Sequence, residues 1–570
     1  MSTSLTRTAS DAFLESLTLG GVDVAFSVFG TDHAGLIESW AKHGANNNLA
    51  AVPRLVICQH ENVAMNGALG YAHFSGRAQA VIAHVDVGTL NLGAGLHNAL
   101  RNRLPVLIFA GLAPWTENGE RFGGRDHYVH WMQDVADQRG SVRNYVKWEY
   151  EVRSGRAFPA AVSRALQIAH TAPNGPVYMA AAAEPLEEEA PEELRYPAMP
   201  APAPTVPAPE VMRDLATKLR AAKAPLILTT SLGGEKGAVE ALVAFAEEFV
   251  VPVVEIRPFH VNMPADHPLH QGYFTDAKIE LLRNADLILS IDCPIPWVPV
   301  LEEPSDDAEI VWIGQDPVDV KIPMRSLRGD LFVQASPRDT LRELTRLGRE
   351  TPVEDEAALA ARRDALAAAH DRLHAAWDRD AAGDQLTVAR VGRLVAEVCG
   401  PDALVVNETV TNDTRILRQL RKTRPGTLMG EAGSGLGLGL SAALGAKLAR
   451  PDADVVCLQG DGCYVFGTPS AVHWGARAHN APFLTVILNN GGWRAVSRST
   501  AMMHPSGHAA GAGFPEGRFE APLDLSKTIE AAGGIGITVR TPEEAEAALR
   551  EGLAHVRAGT SVVINAMVTD

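Results

Sequence analysis

The sequence predicts an α/β fold of three doubly wound domains, each on a parallel sheet, and three observations lead there. Short apolar runs alternate with segments of helical composition along the chain, the pattern of parallel strands joined by crossover helices. Several of these runs stop at clusters of glycine and polar residues, which puts ligand-facing turns at strand carboxyl ends. The 570 residues exceed what one core organises and suggest about three domains.

Composition narrows the class. Apolar content of 46% and charged content of 21% are those of an ordinary soluble globular protein. A formal net charge of −17 argues against nucleic-acid and anionic-membrane partners, because like charges repel. The five cysteines show no C-x-x-C and no pairing pattern, which suggests reduced thiols and a cytoplasmic setting. The opening MSTSLTRTASDAFLESL lacks an apolar signal core, and no run of about 18 apolar residues reads as a membrane span.

Residues 1–182 read as the first α/β domain. The strand 22–28 leads into Gly30-Thr31-Asp32-His33, a turn with three polar side chains at a strand end. The strand 55–58 is followed by Gln59-His60-Glu61-Asn62, which opens a helix of small residues. Glu61 falls in the first helical turn, where the helix dipole favours an acid, so capping alone would explain it. The strand 80–83 leads into His84 and then Gly88-Thr89, and the strand 104–110 ends at Gly111. For His84 a buried structural role stands beside a functional one. Residues 111–153 are polar and aromatic, either bordering a site or forming a solvated contact between subunits.

Residues 183–210, rich in Pro, Ala and Glu, read as an extended linker. The block 211–347 alternates again, with strands at 226–228, 251–256, 287–291 and 310–313 and no nucleophile or metal constellation. Residues 348–384 are alanine-rich with mixed charge, a helical surface connector.

The last domain, 385–570, holds the most informative stretch. The strand 455–458 ends in Gly460-Asp461-Gly462, and the strand 483–488 ends in Asn489-Asn490, with 26 residues between the two motifs. The helix predicted over 470–480 makes this a βαβ unit, so both strand ends lie on one sheet edge and Asp461 meets Asn490. A carboxylate and an amide are hard oxygen ligands suited to Mg²⁺ that also binds phosphate oxygens. Either motif alone is ordinarily a turn; their pairing at two strand ends is what points to a metal-diphosphate site.

That pairing resembles the signature of thiamine-diphosphate enzymes. QHENVAMNGALGYA and HVDVGTLNLGAGLHNALRNRLPVLIFAG resemble the pyrimidine-binding domain of the acetolactate synthase and benzoylformate decarboxylase group, and the similarity runs end to end. His84 with Gly88-Thr89, and Val405-Val406-Asn407-Glu408-Thr409, are most similar to benzoylformate decarboxylase.

The resemblance implies the following assignments. Glu61 bonds the cofactor's aminopyrimidine and promotes its reactive tautomer. The loop from Asn407, with Glu408 and Thr411, approaches the diphosphate; Leu436 wedges between the cofactor's rings; Gly460, Asp461, Gly462 and Asn490 hold the diphosphate and metal, and Gly492 adds a carbonyl to Mg²⁺. His84, with Asp32 or His33, carries protons. Gln133, His127, Tyr128, His130, His267 and Trp493 line the substrate pocket. The arginine that holds FAD in flavin-dependent members is missing from Ser290-Ile291-Asp292-Cys293-Pro294-Ile295-Pro296-Trp297, which argues against FAD.

The implied reaction is decarboxylation or carboligation of a 2-oxo acid through a C2 carbanion and an enamine. Cleavage of a 2-hydroxyacyl-CoA or an acyloin, acetolactate synthesis, and an inactive subunit of the fold are the alternatives. A closing C-terminal segment typical of CoA-cleaving members is not expected. Because Glu61 and the metal ligands come from opposite ends of the chain, and from different subunits in the family, a homodimer or homotetramer is implied.

Overall fold

The computed structural model describes residues 7–276, 278–520 and 523–569. The first six residues of the segment read for a leader lie outside them. Among the described residues eighteen strands form three six-stranded sheets, and every pairing between these strands is parallel.

The first sheet contains β1 (Val24–Ser27), β2 (Arg54–Ile57), β3 (Gln79–Ala83), β4 (Val106–Gly111), β5 (Trp148–Glu151) and β6 (Val177–Ala181), in the order β2-β1-β3-β4-β6-β5. The second holds β7 (Pro225–Thr229), β8 (Val253–Glu255), β9 (His270–Tyr273), β10 (Leu287–Ile291), β11 (Glu309–Gly314) and β12 (Leu331–Gln334), in the order β12-β11-β10-β7-β8-β9. The third holds β13 (Leu404–Glu408), β14 (Leu428–Met429), β15 (Val455–Gly460), β16 (Leu484–Asn489), β17 (Ile535–Val539) and β18 (Val562–Met567), in the order β14-β13-β15-β16-β18-β17. The first and third sheets thus share one topology, while the middle one has the open dinucleotide-fold order.

The central strands are buried along their whole length, as β3, β4, β6, β10 and β16 show, because helices cover both faces of each sheet. Their near-continuous apolar sequences follow from that. The edge strand β2 has a buried residue only at Val56, which matches its shorter apolar signal.

The outer units meet through two helices of small residues, Glu61–Ser75 and Leu438–Ala449. A Cβ added at Gly70 would lie 2.0 Å from the Ala442 carbonyl oxygen, and one at Gly445 would lie 1.9 Å from the Gly67 carbonyl oxygen. The backbones touch, and this contact lies along the helix that begins with Glu61.

Two segments differ from the sequence expectation. The stretch read as extended linker begins as a helix, Ala183–Glu187, in which buried Glu184 accepts N–H bonds from Trp115 (2.9 Å) and Thr116 (3.0 Å). The alanine-rich connector is a helix, Glu356–Asp380, but it does not lie only on the surface. It buries Trp377 against Tyr273, with ring centroids 5.9 Å apart, and its small-residue composition hid that anchor. The Gly- and Ala-rich stretch 499–520 carries the end of a helix, Arg494–Met503, and a short one, His508–Gly511. Among the described residues no helix is long and apolar enough to cross a membrane. The five cysteines are all free.

Candidate active site

In sheets of this kind ligands bind where the strand order reverses, outside the carboxyl ends. In the first sheet that point lies between β1 and β3, and the residues found there are Asp32, His33 and His84. Asp32 is buried and its Oδ1 pairs with His84 Nδ1. Its Oδ2 accepts the Val85 N–H at 3.3 Å and lies 3.4 Å from His33 Nε2. The Gly30 N–H donates to His33 Nδ1 at 3.1 Å, which fixes that ring beneath the turn.

Two glycines make room for the pair. A Cβ at Gly30 would come within 1.8 Å of His84 Nδ1, and one at Gly111 within 1.5 Å of Asp32 Oδ2. Val85, immediately after His84, is held at φ 33°, a conformation costly for a β-branched residue and one that accumulates at functional sites.

The electrostatics of the cluster are one-directional. The hydrogen bond that His84 donates to Asp32 raises the His84 pKa above the ordinary histidine value against the opposing effect of partial burial, helped by the charges of Asp32, Glu61 and Asp86. Burial would raise Asp32, but the charges of His33 and His84 and the bond to His84 together hold it below the usual carboxylate range. Full burial lowers His33. Asp32 therefore remains an anion beside a histidine that keeps its proton more firmly than usual.

Glu61 opens the helix Glu61–Ser75 behind His60 and is only 7% exposed. Asn91 Nδ2 donates to its Oε2 at 3.1 Å, and a Cβ at Gly88 would lie 2.9 Å from its Oε1. Asn91 received no role from the sequence; its position three residues after Gly88 on the same helix, Val85–Leu92, was the available signal.

The third sheet reverses between β13 and β15, and Asp461 stands there. Its Oδ2 accepts three backbone N–H bonds, from Asn490 (3.1 Å), Gly491 (2.8 Å) and Gly492 (3.1 Å), while Oδ1 accepts only that of Gly462 (2.7 Å). Burial raises its pKa. One oxygen is saturated and the other keeps a lone pair. Asn490 Oδ1 is buried without a hydrogen-bond partner, an expensive state for an amide oxygen unless something else occupies it. A carboxylate lone pair beside an orphaned amide oxygen is the donor set of a small hard cation, so these residues fit Mg²⁺. Gly492 is buried and its carbonyl accepts the Arg494 N–H at 3.0 Å, leaving a second lone pair.

Glu408 sits differently from the expectation of a loop facing the diphosphate. It is the last residue of β13, fully buried, and its carboxylate accepts the N–H groups of Gly437 (2.7 Å) and Gly439 (2.7 Å) and the Gln459 side chain (2.6 Å). Burial pushes its pKa up to about 7. These bonds tie it to the glycine-rich entry to the helix Leu438–Ala449, next to Leu436 on the loop before it. Asn98 of the first unit ties the same loop, donating to the Gly435 carbonyl at 2.8 Å. Thr411 lies in a half-buried turn, Val410–Asn412.

The remaining assignments scatter. Gln133 reaches the cluster: its Nε2 lies 2.6 Å from His84 Nε2. His127 and Tyr128 are exposed on the loop before it, and His130 is buried. His267 pairs with Glu247 (3.3 Å) and accepts the Leu269 N–H (3.1 Å), contacts confined to the middle unit. The Trp493 ring lies over Gly462, where a Cβ would be 2.4 Å from it, and meets Phe519 edge-on at 5.5 Å.

Three family models match successive parts of the chain: the thiamine pyrophosphate enzyme N-terminal TPP binding domain over residues 7–140, the central domain over 212–344, and the C-terminal TPP binding domain over 410–566. The chain belongs to the thiamine pyrophosphate enzymes, in the decarboxylase and acetolactate synthase group. It is 27% identical to a benzoylformate decarboxylase of Pseudomonas aeruginosa, over 88% of this chain and 90% of that one. It is 24% identical to a sulfoacetaldehyde acetyltransferase of Rhodobacter capsulatus (98% and 94%) and 23% identical to an acetolactate synthase of Mycobacterium bovis (94% and 84%). Among solved structures, a thiamine diphosphate-dependent 4-hydroxybenzoylformate decarboxylase of Rhodococcus jostii shares the fold with a TM-score of 0.79 at 22% identity, covering 99% of both chains.

Proposed function

We propose that this enzyme uses thiamine diphosphate and Mg²⁺ to decarboxylate a 2-oxo acid, releasing an aldehyde or joining the product to a second carbonyl. The observation that carries the reading is the Asp32–His84 pair at the reversal point of the first sheet, beside Glu61. Asp461, Asn490 and the Gly492 carbonyl would hold the metal, Glu61 the pyrimidine ring, and the Glu408-anchored loop with Leu436 the middle of the cofactor. When bound, the cofactor supplies the carbon nucleophile and electron sink that cleavage beside a carbonyl requires.

The chain's own residues supply the rest. Asp32 holds His84 through Nδ1, so Nε2, which meets the Gln133 amide at 2.6 Å, is the atom left to exchange a proton with substrate or product. His33, buried and disposed to be neutral, backs Asp32 without competing for that proton. Glu61, with Asn91 on one oxygen, is oriented to present the other.

Assembly from more than one subunit follows from the same reading. Phe122, Tyr128 and Met132 near Gln133, and Phe466 and Trp474 in the third unit, are large apolar groups left exposed on a single chain. A homodimer or homotetramer would cover them. The alternatives, acyl transfer or cleavage of an acyloin or a 2-hydroxyacyl-CoA, use the same cofactor without release of carbon dioxide from a 2-oxo acid. The test is carbon dioxide release from a panel of aryl and alkyl 2-oxo acids with both cofactors added. Release that disappears in Glu61→Gln is the expected result; no release from any acid by cofactor-loaded protein would overturn the reading.

A further inference from the structure

His84 has a partner on each ring nitrogen, and the two partners differ in kind. Asp32 on Nδ1 is an anion and only accepts. Gln133 on Nε2, at 2.6 Å, carries an amide that can donate through its nitrogen or accept through its oxygen. The neutral imidazole, protonated on Nδ1 toward Asp32, needs a donor at Nε2; the imidazolium needs an acceptor there. One amide, turned over by half a rotation, satisfies both.

We infer that Gln133 is a positioning residue that keeps His84 hydrogen-bonded in both of its protonation states by flipping its amide, so that the proton on Nε2 can leave and return without stranding the ring. The inference rests on the proposed role of His84 as proton carrier and extends it to the loop that bears Gln133.

The geometry restricts the contact to this one residue. Gln133 follows the short helix Val129–Met132, its N–H bonded to the Val129 carbonyl at 2.9 Å. Arg125 braces the same turn by donating to the carbonyls of Pro114 (2.6 Å) and His130 (3.1 Å). The other charged or titratable groups facing His84 are Asp32 and His33 beyond β1, Glu61 at the start of its helix and Asp86 on the helix that follows His84. None of these contacts Nε2. A residue that could only donate at Nε2 would hold His84 neutral, and one that could only accept would hold it charged. An enzyme that must pass a proton through this ring gains from neither.

The test is the titration of His84 in the resting protein, followed through ¹³Cε1-labelled histidine and assigned with His84→Asn. Gln133→Glu offers only an acceptor and is expected to raise the midpoint by roughly one pH unit. Gln133→Met keeps the length of the side chain but sets an apolar thioether, at most a weak acceptor, against Nε2; this disfavours the charged ring and is expected to lower the midpoint. In the kcat/KM profile the limb assigned to His84 moves in the same two directions. Shifts of the same sign in both variants, or none in either, would overturn the inference. Because the titration needs no substrate, opposite shifts in a protein that releases no carbon dioxide would leave the inference standing and remove only the decarboxylase reading.

Discussion

Asp32 determines what His84 can do. Replacing it with Asn removes both the leading cause of the raised His84 pKa and a nearby charge, so the histidine midpoint falls in Asp32→Asn. A loss of 10² or more in kcat is expected, the usual size of a general acid-base contribution, measured as carbon dioxide release across pH. The linkage has a defined sign. With His84 raised and Asp32 lowered, the pair stabilises the fold fully between the ordinary values of 3.8 and 6.5, less as pH rises through the His84 value, and less as it falls through that of Asp32. Urea midpoints of wild type and Asp32→Asn should therefore differ most inside that window; a constant difference at all pH values would contradict the pairing. Gly111→Ala should reproduce the activity loss with every titratable group still in the sequence, because its Cβ has no room beside Asp32 Oδ2 and must displace that carboxylate. At this scale the positions of His84, Asp461 and Asn490 at strand ends were legible in the sequence, since each closes an apolar run. The contacts of Gly111 with Asp32, of Asn91 with Glu61 and of Glu408 with the glycine-rich loop were not, because their partners come from other strands and helices that periodicity does not bring together.

Between elements, the first and third units are joined by the contact of the helices Glu61–Ser75 and Leu438–Ala449. Their run of small residues reads in sequence as a weak helix, and only the packing shows why larger side chains are excluded. Gly70→Ala forces a methyl against the Ala442 backbone and should cost about 1–3 kcal/mol, the range for overpacking a filled core. Gly511→Ala, with open space around its Cβ, is the control and should leave the thermal midpoint unchanged. Equal melting of the two variants would mean that the helices separate freely. The strands named from the sequence, such as 287–291 and 310–313, lie in the sheets where alternation placed them, with ends moved by a residue or two. Short β14 and the partly exposed β17 carried too little apolar signal to be named.

For the whole molecule, the shared strand order of the first and third sheets explains why two sites of one chain stand at equivalent reversal points. One holds acid-base groups and the other a cation's donor set, and a diphosphate cofactor with a basic ring needs both. Light scattering is expected to give two or four times the chain mass of 60.8 kDa; a monomer with activity would contradict assembly across subunits. The division of labour between the two sites is measured by thiamine diphosphate affinity with and without Mg²⁺ in wild type, Asp461→Ala, Asn490→Ala and Glu61→Gln. The first two variants are expected to lose the Mg²⁺-dependent part of binding, while Glu61→Gln still binds with Mg²⁺ but no longer turns over. Unchanged Mg²⁺-dependent binding in Asp461→Ala and Asn490→Ala would contradict it.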